Sequence, residues 1–424
     1  MPVSTLILLW DIVERHFDEA DFLWGQWEHS LVSPSYTLED VAREPEARLL
    51  AHVDGLVVNG PEVARRLLIP ALAHGEPQRV SAAATALLQS PGEEGIDAVV
   101  TALRTLSQQR SALTRALACS ERPEVLNRMH ELLGDPDLDV VAAASEVLIF
   151  HHAPLGTTLS RLLASDDPVK QVLGMKALAD GPPSLHDTER LLMGLAHEVP
   201  VVAAAAMEVG CRLGFGSAWQ LVKERAAGAD RMAMLLLALG GGPAEYRELL
   251  AALSDAARRP SALWALGFVG TPETVDASLE WLNDRQAGPL AGEVFTAVTG
   301  VNLAEANLTV DPEETEALDH APEDDLPLPD PVKVRHWWKQ HRGTFTDGQR
   351  YLMGEPRSWT GLLAALLRGS MRRRSALLLD LQLRCPEKRS LLLQPRAPTR
   401  QQYAELAAIQ RLDHVELNAA RSLF

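Results

Sequence analysis

Aromatic side chains make up only 5% of this 424-residue chain, and cysteine occurs three times. Cys119, Cys211 and Cys385 lie far apart with no Cys-x-x-Cys spacing. That excludes a disulfide framework or a cysteine zinc site and fits free thiols in a reducing compartment. No apolar run approaches the roughly eighteen residues that a membrane helix needs. The short N-terminal run Leu6 to Trp10 lacks a basic flank and is followed at once by Asp11 and Glu14, unlike a signal peptide. No stretch alternates apolar and polar residues as a half-buried strand does. A P-loop, a dinucleotide fingerprint and a Gly-x-Ser-x-Gly elbow are all missing. The expectation is a cytoplasmic helical protein that is not an enzyme, with no cofactor, catalytic or metal residues and no membrane partner.

What the chain does have is a repeat. Helices rich in small residues open at Pro77, Gln109, Pro136, Pro168, Pro200, Asp230, Pro260 and Pro289. This period of about thirty residues marks a solenoid, in which no single unit can bury its own apolar face. Proline suits the first helical position, where its missing N–H costs nothing. Asp135 and Asp167, each before a proline, are expected N-caps. Between these helices run amphipathic ones, such as Ile96, Val99, Val100, Leu103 and Leu106, whose stripe should pack on the small-residue side. Gly134, Gly181, Gly214 and Gly270 fall where helices should stop. The arrangement resembles HEAT repeats of the short bacterial kind. The expected fold is all-α: a HEAT-like α-solenoid (α-α superhelix) with an N-terminal helical cap and a C-terminal helical unit.

Charge divides the chain unevenly. Residues 331–424 hold 17 Lys and Arg against 7 Asp and Glu, whereas residues 1–330 hold 23 against 50. The expected segments are a cap over 1–60, the repeat array over 61–305, an acidic Pro-rich linker over 306–332 and a basic helical unit over 333–424. The linker carries nine carboxylates between Asp311 and Asp330, and it is expected to lie against the basic arginines Arg372, Arg373 and Arg374. An acidic array repels nucleic acid and steers basic partners. The candidate partner-binding residues are acids at repeat turns: Glu93, Glu94, Asp97, Asp135, Asp137, Asp139, Asp166 and Asp167. For those at helix starts, N-capping is the alternative role.

His16 and Glu19, one helical turn apart, and His52 and Asp54 on the next helix form the densest polar constellation. Four such groups on two helices have the residue types of a metal site, but a network tying the cap together is the commoner outcome. The blocks around them, His16 to Trp24 and Ala51 to Leu56 with Gly55, resemble the N-terminal signature of a bacterial HEAT-like family. Phe295 to Gly300 resembles its end of array. Pro329-Asp-Pro331, Trp337-Trp338 and Arg350-Tyr351-Leu-Met-Gly354-Glu-Pro356 resemble its C-terminal signature. Asp21 departs from that pattern, standing where a small apolar residue is expected. Members of the family are often encoded beside type VI secretion effectors, and some look like immunity proteins. The resemblance therefore implies a cytoplasmic protein that binds and neutralises a cognate secreted nuclease (DNase) toxin by occluding it. An effector adaptor or chaperone is the second reading, and a lyase or repair enzyme on a HEAT scaffold a weaker third.

Overall fold

A computed structural model describes residues 8–179, 185–310, 325–384 and 394–410. Cys385, Gly181 and residues 311–324 of the acidic linker lie outside them. Almost every described element is a helix, and the chain is an all-α, HEAT-like solenoid. It divides into two compact units. One comprises residues 1–32, 38–182 and 392–405; the other comprises 33–37, 183–391 and 406–424.

In the first unit the Trp10–Ser30 helix packs against Ala47–Val57 and Pro77–Gln89. Val13, Phe17, Ala20, Leu23, Trp24 and Trp27 recur at three- and four-residue intervals and are all buried, as an amphipathic helix requires. Pro77–Gln89 buries Ser81, Ala82, Ala83 and Ala84 in succession. Such small side chains let the next helix approach closely. A Cβ on Gly95 would sit 2.1 Å from the Leu87 carbonyl oxygen, so only glycine fits there. The helices Glu94–Thr105, Arg110–Ala118, Pro123–Leu132, Leu138–Phe150, Thr158–Leu163 and Pro168–Leu178 carry the repeat onward. Ile96, Val99 and Leu103 of the expected stripe are fully buried.

Asp167 caps its helix as expected, accepting from the Val169 N–H at 2.9 Å. Asp135 does not. The helix after it begins only at Leu138, and Asp137 is the cap, accepting from the Asp139 N–H. Asp135 instead accepts from the Asp137 N–H at 2.9 Å. Asp137 is a second capping residue, one position before the apolar run, so the helix start moves two residues past Pro136.

A turn of π-helix at Ala42–Glu46, which contains Pro45, presents Glu46 to the interior. Its carboxylate accepts from Trp27 Nε1 at 2.8 Å, from the Thr399 N–H at 2.9 Å and from Thr399 Oγ1 at 2.6 Å. Glu28 pairs with Arg115 at 2.5 Å and also with Arg396. The N-terminal helices and the 394–405 segment are thereby tied together through two carboxylates.

In the second unit, Arg231–Gly240 stacks on Arg259–Val269, which stacks on Gly288–Thr299. Nearly every residue of these three helices is buried. Their C-terminal carbonyls have no intrahelical partner and carry the negative end of the helix dipole. The C-terminal segment supplies the donors. Arg350 Nε reaches the Val269 carbonyl at 2.9 Å, and Nη2 reaches those of Phe268 at 2.8 Å and Ala238 at 3.1 Å. Arg373 donates to Gly267 and Arg384 to Leu239, both at 2.8 Å. Backbone N–H groups add more: Tyr351 to Gly270 at 2.7 Å, and Met353 and Gly354 to Ala297 and Val298 at 2.9 Å. Tyr351–Leu352 and Glu355–Pro356 form a two-residue antiparallel hairpin. Its Met353-Gly354 turn has positive φ at both positions, 54° and 86°, the twist-matched turn for so short a loop.

The basic segment thus pairs with the array itself. Arg372 meets the buried Glu293 at 3.2 Å, Arg373 lies 3.8 Å from it, and Arg374 is fully buried. Trp337 and Trp338 pack on Phe295, with ring centroids 5.2 and 6.4 Å apart. Trp338 Nε1 donates to Asp276 at 2.6 Å.

Replacing Arg350 with methionine keeps much of the side-chain volume but removes the donor to the Val269 and Ala238 carbonyls and leaves that of Phe268 only a 3.4 Å bond from Arg357. Each loss costs about 1–3 kcal/mol, so denaturant unfolding of the full chain should show a large drop in midpoint. Arg350→Lys should not restore it, because one ammonium cannot reproduce the planar fork of donors.

Candidate partner-binding surface

The eight acids expected to meet a partner occupy successive repeat turns of the first unit, and most of them face a cation from a neighbouring repeat. Arg128 reaches Asp97 at 2.8 Å, Glu93 at 3.1 Å and Glu131 at 3.4 Å. Arg104 pairs with Asp135 at 2.9 Å. Arg110 lies 3.1 Å from Asp137 and 3.7 Å from Asp139. Lys170 bonds Asp139 at 2.7 Å and Asp167 at 2.5 Å. Glu94 and Asp166 are exposed and stand outside this ladder.

Hydrogen bonds from Lys170 and from the Val169 N–H hold the Asp167 carboxyl below its usual range, while Asp139 and Asp167 raise the Lys170 ammonium. Each of these pairs joins a well-exposed partner to a more buried one, so screening from the exposed side keeps its contribution to stability modest. Their main effect is to commit six of the eight acids to cations of this unit, leaving Glu94 and Asp166 outside the ladder. Four cations face seven acids once Glu131 is included, so the edge stays negative.

Between the Glu94–Thr105 and Pro123–Leu132 helices lies an open groove of about 480 Å³. Asp97, Arg104, Arg128, Glu131 and Asp135 line it, with Val100 and Leu132 between them. The groove thus presents charges of both signs with two apolar side chains between them.

The ladder had a sequence signal that a search for acids alone misses. Asp97 and Arg128, Arg104 and Asp135, and Asp139 and Lys170 are each 31 residues apart, one repeat. Opposite charges at the repeat offset mark pairs across a junction.

The histidine constellation is only partly assembled. His16 Nδ1 and His52 Nδ1 are 3.1 Å apart, with the rings edge to face at 5.1 Å. Gly55 makes room, since a Cβ there would meet the His16 ring at 2.8 Å. Glu19 is half-buried and Asp54 is exposed. Among the described residues no group of three or more His, Cys, Asp or Glu side chains is placed to hold a metal. Trp24 lies in the core, edge to face with Trp27 at 5.2 Å. Trp337, Trp338, Arg350, Tyr351 and Gly354 take the packing and helix-end positions described above. Burial pushes the Cys119 thiol up to about 11 and Cys211 up to about 12, so both are unreactive near neutral pH. No helix among the described residues is long and apolar enough to cross a membrane.

No family model and no curated protein matches the chain. Solved structures of low identity do. YibA of E. coli is 12% identical, with 69% of this chain and 98% of that one covered and a TM-score of 0.33. Kap95p, in a complex with RanGDP, is 13% identical over all of this chain and 64% of its own, with a TM-score of 0.35. Human deoxyhypusine hydroxylase is 18% identical over 65% of this chain and 96% of its own, with a TM-score of 0.19. These are likenesses of fold alone.

Burial, the neighbouring His16 and Arg48 lower the His52 pKa from 6.5, against a smaller opposing pull from Glu19. The folded state therefore binds fewer protons at this site than the unfolded chain. Its contribution to stability is full above pH 6.5 and declines as pH falls through 6.5 toward the lower folded value. His151, lowered chiefly by burial, acts in the same direction. Unfolding midpoints between pH 7.5 and 5 should fall less steeply in His52→Gln than in the parent.

Proposed function

We propose that this protein is a cytoplasmic binding protein that neutralises a secreted nuclease toxin by covering its basic substrate-binding surface. The observation that carries the reading is the acid-rich ladder along successive repeat turns. Its cations are fewer than its acids, and Glu94 and Asp166 remain exposed beside it. A nuclease must present positive charge to phosphates, and an acidic edge offers those groups a competing surface. The residue blocks that resemble a type VI secretion-linked HEAT-like family add the biological setting. On this reading the protein acts by occlusion, needs no catalytic residue, cofactor or metal of its own, and does not bind nucleic acid.

Charge supports association rate and selectivity more than affinity. The test therefore reads kinetics. Glu94→Lys with Asp166→Lys changes two exposed acids while sparing the ladder and the caps, so the melting temperature should stay within about 1 °C of the parent, as for surface substitutions generally. The association rate with the toxin encoded next to this gene should fall about tenfold at low ionic strength and converge with the parent at high salt. Co-expression supplies the second arm: the protein should rescue cells making the active toxin. If it instead leaves the toxin active and raises only its stability or export, the adaptor reading replaces this one.

A further inference from the structure

The Ala47–Val57 helix packs against Trp10–Ser30 and Pro77–Gln89 and turns Leu49, Val53 and Leu56 inward. Its opposite face is covered by no described element. Ala47, Leu50, Ala51 and Asp54 lie there, one helical stripe at i, i+3, i+4 and i+7, and all four are exposed. Val58 continues the stripe at the helix end and is 80% exposed. Leu9 and Ile12 are exposed at the same end. His16 meets His52 and Trp27 meets Glu46, so the two helices run antiparallel and the start of one lies beside the finish of the other. Among the described residues fourteen large hydrophobic side chains are exposed, and seven of them fall within the first 69 residues. The outer face of a terminal repeat is normally polar, so this apolar excess calls for a cover.

The charges on this helix say what the cover is. Arg48 and Asp54 are both exposed, and neither forms an ion pair with a described residue. One charge of each sign offers no net attraction to a basic nuclease, unlike the ladder. It does complement itself. Arg48 stands three residues before Ala51 and Asp54 three after it. When two copies of the helix cross antiparallel at Ala51, each Arg48 comes level with the Asp54 of the other copy. The arginine side chain is long enough to cross the seam, and the two-fold axis makes both pairs at once. Ala47 and Ala51 let the backbones approach, while Leu50 and Val58 gain apolar neighbours. We propose that the protein forms a two-fold homodimer through this face, with Ala47–Val57 antiparallel to its own copy and Ala51 at the crossing. An eleven-residue helix is only about 16 Å long. The contact therefore falls below the roughly 800 Å² per partner of a standard interface, and the dimer is a weak one.

Sedimentation equilibrium of the full chain tests this. The parent should show a reversible monomer–dimer equilibrium with a Kd on the order of tens of micromolar. Arg48→Asp leaves only acids at the two positions, and Asp54→Arg leaves only bases. Each variant alone should raise the Kd at least about tenfold, because like charges then face each other. An equimolar mixture of the two should recover the parent affinity as a heterodimer, since both cross-pairs are again opposite in charge. Recovery on mixing also shows that both variants fold. Leu50→Glu should weaken the dimer as well, with the melting temperature of the monomer unchanged. A parent that stays monomeric up to about 500 µM overturns the proposal and leaves the face to another protein. A dimer unaffected by either charge variant overturns it too. Single variants that lose the dimer and do not recover it on mixing overturn the antiparallel pairing. None of these outcomes touches the toxin-binding reading, which uses the ladder and not this helix.

Discussion

The carbonyl ends of three stacked helices set the terms for the second unit. Small-residue helices pack closely because they have little side chain to spare, and for the same reason they have no side chains with which to cap themselves. Arg231–Gly240, Arg259–Val269 and Gly288–Thr299 finish together with orphan carbonyls in a buried setting. Arg350, Arg373, Arg384 and the hairpin amides answer them. Gly270 and Gly300 make the arrangement possible. Each holds a left-handed conformation, and a Cβ would lie 2.4 Å from the Tyr351 carbonyl oxygen or 2.5 Å from that of Met353. The excess positive charge of residues 331–424 is in good part spent inside the protein.

The first unit uses charge differently. Its acids lie at exposed turns, and its cations bridge one repeat to the next. Screened pairs of this kind add little stability apiece, but they set which carboxylates are committed and which remain available. Asp137 serves as a cap and as a partner of Arg110, so its removal mixes two effects. Glu94 and Asp166 do neither, which is why they report on binding more cleanly.

Most of the architecture was legible in the chain. The proline and aspartate punctuation located helix starts at Pro77, Pro168 and Pro200 to the residue, because a helix start is a local event decided by a cap and a fixed φ. The Ile96–Val99–Leu103 stripe was legible for a similar reason, since burial follows helical phase. Asp135 was misread as a cap because a second aspartate, Asp137, stands two residues on in the same turn, and the apolar run beginning at Leu138 favours the later one. The acids at the repeat turns stood out in the sequence but the cations that pair with them did not, although the 31-residue offset between opposite charges was there to be seen.

Composition and period by themselves determined an all-helical repeat, a net acidic array and a basic end. Local rules suffice for these, because each repeat obeys the same caps, turns and helical phase. Only the tertiary structure decided what the arginines do. Arg350 reaches carbonyls 81 to 112 residues away, and no local pattern announces a donor whose acceptors are backbone oxygens. The same holds for Glu46, whose carboxylate meets Thr399 across 353 residues. Pairings over such separations arise from how the helices stack, and side-chain identity at one position carries no record of which distant helix end will arrive beside it.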